Sequence, residues 1–492
     1  MNAAHGAGAA EGDERVAGAG QGAERRDAAE PPARDPGTRP LRVHAAFAGC
    51  KVSQADSEAV LAGLARRGCR TVADPAQADV QVVLTCGVTA EAERSSRQLA
   101  RRLAAHGRPV VVAGCAAALR PEQFGDPGLR LAASEPGRAA AADEVAACVL
   151  ETAGIRGVVW AVETAGSTGR ETGADAEGPD AAEAAPVTAF AGAASRARTR
   201  FTLKAQDGCA GSCTYCAVRL VRGRPWSLAA DEAVERARAA LAAGCGEIVL
   251  SGIDVGAYRD PAGGADLAGL VRRLAGLPEL RRLRLSSIEP AHLTAELLDA
   301  LDDPLVARHL HVPLQSADDG VLAAMGRPYT WDGYRTTIER ARRRLPGLAL
   351  STDLIVGFPA EDEAAFGRSL AAVASAGLFS RVHVFSYSRR AGTAAAALQP
   401  LPGDTVKRRA RLAREAAAAT QRAAAASCLG AVAAVLVEEE REGLLRGYSS
   451  TYVRYYLTGE AARGRLVEAV GEGLYRDGVK GRIVDGVKGH MA

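Results

Sequence analysis

Three cysteines, Cys209, Cys213 and Cys216, lie close together in the run DGCAGSCTYC. Their spacing is C-x3-C-x2-C, and the glycines beside these loop cysteines predict a tight turn. Thiolates in such a loop are natural ligands of an iron–sulfur cluster, and no fourth ligand is nearby. Three ligands on a four-iron cluster leave one iron open, as a catalytic zinc ion keeps one position free for its substrate. The loop therefore predicts a cluster that can bind a further molecule.

Two other uses of the loop cysteines need to be weighed. They could hold a zinc ion with a distant histidine as fourth ligand, although structural zinc sites usually carry paired C-x2-C units. A disulfide framework is disfavoured, because the chain has only 10 cysteines in 492 residues and shows no secretory signal. The iron–sulfur interpretation is preferred, and zinc stays as the alternative.

A second set, Cys50, Cys86 and Cys115, follows three short apolar runs. Each of these strand-end cysteines is separated from the next by roughly the 30 residues that one β–α–β unit takes. Their thiols should leave equivalent ends of parallel strands, where open α/β sheets bind ligands. They could hold a second cluster, again with one open iron. Alternatively, each could be a small buried apolar residue.

The elements that must position both sets alternate between strand and helix. Apolar runs ending at 47, 85 and 113 predict β–α–β units with a parallel sheet. Farther along, helices such as 229–243 and 294–301 separate six more strands. These strands are predicted at 201–205, 247–251, 283–287, 309–313, 348–356 and 382–387. Six such units predict a complete or partial β/α barrel, whose site lies at the carboxyl ends of the strands. The cysteine loop directly follows the first strand.

The remaining segments set the domain organisation. Residues 1–40 are rich in alanine, glycine and proline with almost no large apolar residues, and they should be disordered. Residues 163–198 have a similar low-complexity composition and are predicted to be a linker between domains. After a helix at 404–427, runs at 432–437, 452–457 and 465–470 predict a small all-β domain. The predicted order is a disordered tail (1–40), an N-terminal α/β domain (41–150), a linker (151–198), a central barrel (199–425) and a C-terminal β domain (426–492).

Composition limits the classes of function. Hydrophobic residues make up 48% of the chain, which supports full cores, and the net charge of +3 does not by itself indicate a nucleic-acid binder. No apolar stretch approaches the ~20 residues needed to cross a bilayer. We therefore expect a cytoplasmic protein, in a reducing compartment and without a membrane partner.

The C-x3-C-x2-C spacing resembles the signature of the radical S-adenosylmethionine (SAM) enzymes. With both cysteine sets, the chain over 41–487 resembles the methylthiotransferases, most closely the branch that acts on threonylcarbamoyladenosine in tRNA. The resemblance rests on the runs GCKVSQ (49–54), TCGVT (85–89), GC (114–115), GEIVLSGID (246–254), SSIEP (286–290), HVPLQS (311–316) and DLIVGFP (353–359). It implies an N-terminal cluster domain, a central barrel and a C-terminal β domain called TRAM.

The resemblance also implies the cofactors, which are two 4Fe–4S clusters and SAM. The strand-end cysteines would hold the cluster that binds or supplies sulfur. The loop cysteines would hold the cluster that cleaves SAM reductively, and the resulting 5′-deoxyadenosyl radical would remove hydrogen from C2 of the adenine. A second SAM would give the methyl group, and no side chain is assigned as a catalytic acid or base. The residues implied in binding SAM are Tyr215, Gly252, Asp254, Glu289, Gln315, Arg327, Asp353, Gly357 and Pro359.

Several of these residues have structural alternatives. Asp353 and Glu289 are carboxylates in apolar surroundings, and either could form a buried ion pair instead of contacting a ligand. Gly357 and Pro359 could simply end a strand. Arg327 could pair with a carboxylate or phosphate, or be a solvated loop residue.

The C-terminal segment carries four of the ten tyrosines between 448 and 456. Tyr448 and Tyr452 could stack on unpaired bases while Arg454 pairs with phosphate, or the tyrosines could form the core of a small barrel. Basic residues on the helix at 404–427, with Arg200 and Lys204, could add to an RNA surface or be a solvated face. The resemblance implies three partners: the tRNA anticodon loop, an electron donor such as flavodoxin or ferredoxin, and a sulfur source.

Other functions stay open. Within the family, the substrate could be isopentenyladenosine in tRNA or an aspartate of a ribosomal protein. Outside it, the chain could be a non-catalytic, metal-stabilised RNA-binding protein. The chain also departs from the family's pattern at Leu84, Arg219 and Leu228, where Asn, Pro and Arg are usual. None of the three is a predicted cluster ligand, so they bear on substrate contacts.

Overall fold

The computed structural model describes residues 39–49, 51–87, 89–126, 128–132, 140–153 and 199–484. Residues 1–38 of the tail predicted to be disordered lie outside these ranges, as do residues 154–198 of the predicted linker and Cys50. The described residues form an N-terminal sheet, two central sheets and a C-terminal closed β-barrel. None of the helices within these ranges is both long and apolar enough to cross a membrane.

The N-terminal sheet is parallel, with the strand order β2–β1–β3–β4–β5. Its strands are β1 (Arg42–Phe47), β2 (Arg70–Thr71), β3 (Val80–Thr85), β4 (Val110–Gly114) and β5 (Leu129–Leu131). Its helices are α1 (Lys51–Arg66), α2 (Ala90–Ala104), α3 (Cys115–Leu119) and α4 (Ala142–Thr152). Helices α1 and α4 cover one face, and α2 and α3 cover the other, so β3 and β4 are apolar throughout. The predicted alternation of strand and helix is confirmed here.

The central part contains six parallel strands in two three-stranded sheets, ordered β10–β9–β6 and β11–β12–β13. These strands are β6 (Arg200–Lys204), β9 (Glu247–Ser251), β10 (Arg282–Leu285), β11 (His309–His311), β12 (Ala349–Val356) and β13 (Arg381–Ser386). A short antiparallel pair, β7 (Gln206–Asp207) and β8 (Trp226–Ser227), follows β6. The helices are α5 (Val218–Arg222), α6 (Ala230–Ala242), α7 (Leu267–Ala275), α8 (Ala295–Leu301), α9 (Asp319–Ala324), α10 (Trp331–Arg344) and α11 (Glu363–Ala374).

All six predicted central strands are present, with ends within two residues of the predicted ones. Within the described residues, β-pairing between the two sheets is limited to the isolated parallel bridges Leu283–Val306 and Ser287–His311. A continuous six-stranded barrel is therefore not confirmed. The strands still run in one direction, so their carboxyl ends share one edge, and one large apolar core lies between strands and helices.

The C-terminal part begins with α12 (Gly403–Ala426), which leads to a closed five-stranded barrel. Its strands are β14 (Val432–Arg441), β15 (Leu444–Ser449), β16 (Arg454–Thr458), β17 (Leu466–Tyr475) and β18 (Gly478–Ile483). The predicted all-β domain is confirmed, and this barrel fits a TRAM-like domain. Strands β15 and β18 were missed by the sequence patterns, because both are short and interrupted by glycine.

Buried arginines join the C-terminal barrel to the amino ends of the central strands. Arg282 Nη1 donates to the Tyr448 carbonyl at 3.1 Å, and Arg284 Nη2 donates to the Ser449 carbonyl at 3.1 Å. Both arginines pair with Glu247, which is fully buried at the start of β9. Buried charges are tolerated when they are paired in this way. The C-terminal barrel thus closes the end of the central sheets opposite to the cysteine loop.

Candidate iron–sulfur and S-adenosylmethionine site

The loop cysteines follow β7 in a turn that only glycine permits. Gly208 has φ +72, and a Cβ there would lie 2.2 Å from the Arg224 carbonyl oxygen. Inside the loop, a Cβ on Gly211 would lie 3.2 Å from Cys209 Sγ and 4.0 Å from Cys213 Sγ, so both sulfurs crowd the same residue. Burial raises the pKa of Cys209, and it raises that of Cys216 to about 11. These thiols stay protonated at neutral pH unless a metal displaces the proton.

A zinc site would require four ligands around one ion. Within the described ranges, no group of three or more Cys, His, Asp or Glu side chains is arranged to hold a single metal ion. No distant histidine therefore joins the loop cysteines there, as the zinc alternative would need. A four-iron cluster places its thiolates on different irons, and this suits three sulfurs spread along a loop.

The strand-end cysteines leave neighbouring strands of the N-terminal sheet. Thr85 and Gly114 are the last paired residues of β3 and β4, so Cys86 and Cys115 emerge side by side, and both are buried. Gly49 has φ +140, and a Cβ there would lie 2.8 Å from Cys86 Sγ. The chain that leads into Cys50 therefore touches Cys86, although Cys50 itself lies outside the described residues. The predicted ligands that are described thus meet at one edge of the sheet.

A cavity with about 810 Å³ of empty space lies between the N-terminal and central sheets. From the N-terminal side, Gly87 and Cys115 line it. From the central side, the predicted residues among its walls are Tyr215, Cys216, Gln315 and Asp353. One member of each cysteine set therefore lines the same cavity.

Two buried arginines make the surroundings of Cys86 and Cys115 fit a sulfur-rich group. Arg222 donates its Nε–H to Cys115 Sγ at 3.2 Å. Arg390 lines the cavity, and its Nε and Nη2 atoms have no hydrogen-bond partner in the described part of the chain. Leaving buried donors unpaired costs about 1–3 kcal/mol. The sulfides of a cluster beside Cys86 would supply the missing acceptors, so the residues present fit the group.

Arg327 connects two predicted SAM-binding residues to the cysteine loop. Its Nη1 donates to Cys213 Sγ at 3.2 Å, and its Nη2 forms an ion pair with Glu289. Its Nε donates to the Tyr329 hydroxyl at 2.9 Å. Burial raises the pKa of Glu289 even though Arg327 lowers it. Arg327 and Glu289 were predicted separately, and the structure joins the buried Arg327 side chain to the half-buried Glu289 carboxylate next to the loop, so Arg327 is not a solvated loop residue.

Asp254 and Gly252 lie beside the same loop, just after β9. The backbone N–H of Asp254 donates to Gln206 Oε1 at 2.7 Å, and its Oδ1 lies 3.3 Å from His292 Nε2. A Cβ on Gly252 would lie 2.9 Å from the Gln206 side chain. Burial is the main cause of the raised pKa of Cys209, and the negative charge of Asp254 adds to it. Gln206 braces this turn and was not singled out from the sequence.

Gln315 and Asp353 form one wall of the cavity in a strained arrangement. Gln315 has φ +69, which is uncommon for a residue with a side chain, and its N–H donates to the Asp353 carbonyl at 2.9 Å. Asp353 Oδ2 lies 3.1 Å from His311 Nε2, and His311 Nδ1 lies 2.9 Å from Ser351 Oγ. Strained residues cluster at ligand sites, which supports a role for Gln315 at this wall.

Gly357 is explained by packing. It has φ +77, and a Cβ there would lie 2.8 Å from the Val406 side chain of α12. Its N–H donates to Glu361 Oε2 at 2.7 Å. The residues that line the cavity do not include Gly357 or Pro359. The strand-end turn, which was the structural alternative for this run, therefore accounts for Gly357, and a ligand role for it stays only a prediction.

The predicted RNA-binding residues lie where the C-terminal barrel meets the central sheets. Tyr452 stacks on His309 and on Tyr448, with ring centroids 4.8 Å apart in both pairs, and the Arg284 guanidinium lies 4.5 Å from its centroid. Arg454 Nη1 lies 3.0 Å from an oxygen of Asp477. The Tyr452 ring is thus held by contacts within the chain, and a role for it in RNA binding stays a prediction.

Much of the predicted basic surface is neutralised inside the protein. Lys204 Nζ lies 2.5 Å from Asp56 and 2.8 Å from Asp207, and Arg200 pairs with Glu438. On α12, Arg409 is buried and pairs with Glu361 at 2.8 Å. Charge counted along the sequence therefore overstates what these residues could offer to RNA.

The three departures from the family's pattern have different surroundings. Leu84 is buried in the apolar core of the N-terminal sheet, and Leu228 is buried in the central core. Arg219 is exposed on α5. The two leucines therefore act in packing.

Arg222 and Arg390 are functional candidates that the sequence did not reveal. Arg222 reaches a cysteine 107 positions away in the chain, and no spacing rule indicates such a contact. Arg390 approaches the N-terminal sheet only through the fold, where it pairs with Glu93 of α2. His311, by contrast, lies in the HVPLQS run that carried the resemblance.

Residues 203–373 match the Radical SAM superfamily, and residues 42–128 match a family described as Uncharacterized protein family UPF0004. Parallel strands with a C-x3-C-x2-C loop after the first of them agree with this match. The central part of the chain is therefore that of a radical SAM enzyme.

Curated relatives extend over most of the chain. Threonylcarbamoyladenosine tRNA methylthiotransferase MtaB of Bacillus subtilis (strain 168) is 32% identical over 434 residues, which cover 85% of this chain and 91% of that protein. A probable threonylcarbamoyladenosine tRNA methylthiotransferase of Pyrococcus horikoshii is 30% identical, covering 87% and 96%. The tRNA-2-methylthio-N(6)-dimethylallyladenosine synthase of Sorangium cellulosum (strain So ce56) is 33% identical, covering 75% and 76%. The chain belongs to the radical SAM methylthiotransferase family. It is an enzyme whose cofactors are SAM and two 4Fe–4S clusters.

Proposed function

We propose that this enzyme methylthiolates C2 of N6-threonylcarbamoyladenosine next to the anticodon of tRNA. The observation that carries the proposal is the cavity shared by Cys115 and Cys216, one from each cysteine set. Sulfur insertion requires that the sulfur and the activated carbon meet, and two clusters that face one cavity would allow this. The names of the relatives from Bacillus subtilis and Pyrococcus horikoshii support the choice of base.

The two cysteine sets take separate roles in this proposal. The loop cysteines hold the cluster that binds SAM, and the strand-end cysteines, with Cys50, hold the second cluster. When bound, these groups supply the electron, the radical, the sulfur and the methyl group. The chain itself positions them and keeps water away from the reacting atoms.

Individual side chains have definable tasks at this site. Arg327 fixes Cys213 by its 3.2 Å hydrogen bond and holds the Glu289 carboxylate toward the loop. Gln315 and Asp353 shape the wall on which the adenosine of SAM or the target base would rest. Tyr215 and Cys216 place the loop against the same space.

The RNA substrate would enter this cavity as a splayed base. Bases in an anticodon loop are unpaired and can leave their stack, whereas bases in a duplex cannot be reached. Tyr448, Tyr452 and Arg454 remain candidate RNA contacts in this proposal. An electron donor such as flavodoxin or ferredoxin and a sulfur source complete the cycle, and a tRNA substrate would place the enzyme in the cytoplasm.

The direct test is mass spectrometry of tRNA nucleosides from cells that lack the gene and from cells that carry it again. We expect methylthiolated threonylcarbamoyladenosine to disappear and to return. A copy with Cys213→Ala should not restore the nucleoside. A copy with Cys428→Ala, which alters a half-buried cysteine near the C-terminal barrel, should restore it.

If only the isopentenyl nucleoside responds, as the Sorangium cellulosum relative would suggest, the proposed threonylcarbamoyladenosine branch of the family is wrong. If no nucleoside changes, tRNA is not the substrate, and the ribosomal protein becomes the candidate.

A further inference from the structure

Arg222 belongs to the central part of the chain but reaches a thiol of the N-terminal part. It ends α5, six residues after the last loop cysteine, and donates its Nε–H to Cys115 Sγ at 3.2 Å. Its side chain is only 8% exposed. A charged donor held this close to a thiolate gives a strong, directional hydrogen bond.

A buried network of four charges fixes the direction of that hydrogen bond. Arg222 Nη2 lies 2.7 Å from Asp56, and its Nη1 lies 3.1 Å from Asp207. Lys204 Nζ lies within 2.8 Å of both carboxylates. Two cations and two anions balance, and each end of the guanidinium is bound to a carboxylate. The remaining Nε–H can only point toward Cys115.

The same network touches the other cysteine set. Asp207 lies two residues before Cys209, and its Oδ1 accepts the N–H of Gly208 at 2.8 Å. Asp56, by contrast, lies on α1, the helix that begins at Lys51. The network therefore joins the turn that carries the loop cysteines to the helix that follows Cys50. Its four members come from α1, β6, β7 and α5.

Arg390 approaches the N-terminal part from a second direction. Its side chain is 3% exposed, it forms an ion pair with Glu93 through Nη1, and it lines the cavity. Glu93 lies on α2, and Ser96 of the same helix accepts the N–H of Cys86 at 3.2 Å, so one helix anchors both Arg390 and Cys86. The Nε and Nη2 atoms of Arg390 have no hydrogen-bond partner among the described residues. These two nitrogen atoms lie on the same edge of the guanidinium, and this edge can bind an anion through two parallel hydrogen bonds.

We propose that Arg222 and Arg390 complete the site of the strand-end cluster from the central part of the chain. Arg222 would donate to the Cys115 thiolate, and the free edge of Arg390 would donate to sulfur atoms beside Cys86. This inference rests on the proposed function only in taking the strand-end cysteines as cluster ligands. Both arginines are positioning residues, and the cluster site is thus shared between two parts of the fold.

Hydrogen bonds and positive charge at a cluster's sulfurs stabilise its reduced, more negative form. The two arginines should therefore raise the reduction potential of the strand-end cluster and leave that of the loop cluster unchanged. The experiment is a redox titration of the reconstituted full-length enzyme, followed by electron paramagnetic resonance. The variants are Arg222→Gln and Arg390→Gln, and each is also prepared in a Cys213→Ala background to isolate the signal of the strand-end cluster.

We expect both glutamine variants to shift the strand-end cluster to a lower potential, or to lose that cluster while the loop cluster still cleaves SAM. Lysine at either position should give a smaller shift in reduction potential, because it keeps the positive charge but loses the paired N–H donors of the guanidinium. Arg219→Gln on α5 and Arg389→Gln beside Arg390 are matched controls, since both arginines are exposed, and neither should alter the potential.

Unchanged potential and full iron content in both glutamine variants would overturn the proposal. If a glutamine variant does not fold, the lysine variant at the same position is the test. An unchanged reduction potential of the strand-end cluster in that lysine variant would also contradict the proposed role of the arginine. A separate reference is Cys86→Ala: if it keeps both clusters, the ligand assignment fails, and the arginine inference fails for that reason alone. Analysis of tRNA nucleosides does not depend on iron content or reduction potential. A wrong assignment of the tRNA substrate would therefore be recognised separately from a wrong assignment of the arginines.

Discussion

Thr85 and Gly114 are paired residues at the ends of β3 and β4, and this pairing places Cys86 next to Cys115. The contact is close: a Cβ on Gly114 would lie 2.5 Å from the Thr85 carbonyl oxygen, and Gly114 has φ +97. The Thr85 hydroxyl accepts the N–H of Ala117 at 3.1 Å and so anchors the helix that begins at Cys115. The sheet register, rather than a local motif, thus sets the distance between two of the predicted ligands.

Gly114→Ala should therefore disturb the strand-end site. The new methyl group would collide with the Thr85 backbone, and we expect a loss of about 1–3 kcal/mol in unfolding free energy from backbone strain, together with weaker cluster loading. Denaturant unfolding and iron analysis would measure both effects. Gly107→Ala is the control, since Gly107 also has positive φ (+69) but a Cβ there would meet open space. Equal iron loading in the two variants would contradict the role of the register.

Cys86→Ala should separate the two halves of the reaction. Its thiol is buried at the edge of the N-terminal sheet, and it is not one of the three loop cysteines predicted to hold the cluster that binds SAM. We expect SAM cleavage to continue while methylthiolated product disappears, which chromatography of 5′-deoxyadenosine and of tRNA nucleosides would show. Normal thiolated product would mean that Cys86 is not a ligand.

Arg327→Gln should weaken SAM binding and cleavage together. The substitution removes the hydrogen bond to Cys213 and leaves the half-buried Glu289 carboxylate without its ion-pair partner. Hydrogen bonds to charged groups contribute about 1.5–3 kcal/mol, so we expect a loss of about 10- to 100-fold in the affinity for SAM. Equilibrium binding of SAM to the reconstituted enzyme would measure it. Arg335→Gln, on the exposed face of α10, is the control, and affinity unchanged in Arg327→Gln would exclude this role.

Glu247 should control stability in acid. Burial raises its pKa, but Arg284, Arg282 and Arg200 outweigh this and lower the pKa from its ordinary 4.5 to about 2. The unfolded chain therefore takes up this proton more readily than the folded one. The stability that the carboxylate contributes is fully present above pH about 4.5 and is lost as the pH falls toward 2.

Glu247→Gln tests that contribution. At neutral pH the substitution leaves the buried arginines unbalanced, and we expect a loss of about 3–5 kcal/mol in unfolding free energy. The difference from the unchanged protein should shrink as the pH falls from about 4.5 toward 2, because the unfolded chain of the unchanged protein then binds a proton at Glu247 that the folded chain binds only near pH 2. Urea titrations at several pH values would show this. A difference independent of pH would contradict the lowered pKa.

Removal of the C-terminal barrel after residue 427 has two expected consequences. tRNA binding should weaken more than SAM cleavage if the barrel contacts RNA. The deletion also removes the Tyr448 and Ser449 carbonyls that accept from Arg282 and Arg284, so the thermal unfolding temperature should fall. Calorimetry and filter binding measure the two effects. An unchanged unfolding temperature would show that the buried arginines do not need the barrel, and unchanged RNA affinity would place RNA binding elsewhere.

The sequence by itself determined the chemistry-bearing loop, the strand alternation and the separation into α/β and all-β parts. These features are local: the loop cysteines are fixed by their spacing, and β9 was predicted at its observed bounds, 247–251. The grouping of the strand-end cysteines could also be predicted from the sequence, because consecutive parallel strands place their carboxyl ends at one edge of the sheet.

Only the tertiary structure decided which partners those residues meet. Arg222 reaches Cys115 across 107 positions, and Gly357 is constrained by Val406 of a distant helix. Tyr452, which the sequence suggested for RNA, is stacked between parts of its own chain. Spacing and periodicity describe contacts within an element, whereas these contacts depend on how separate elements dock. How the elements dock depends on shape and charge over the whole interface between them, and a short sequence motif contains no information about that interface.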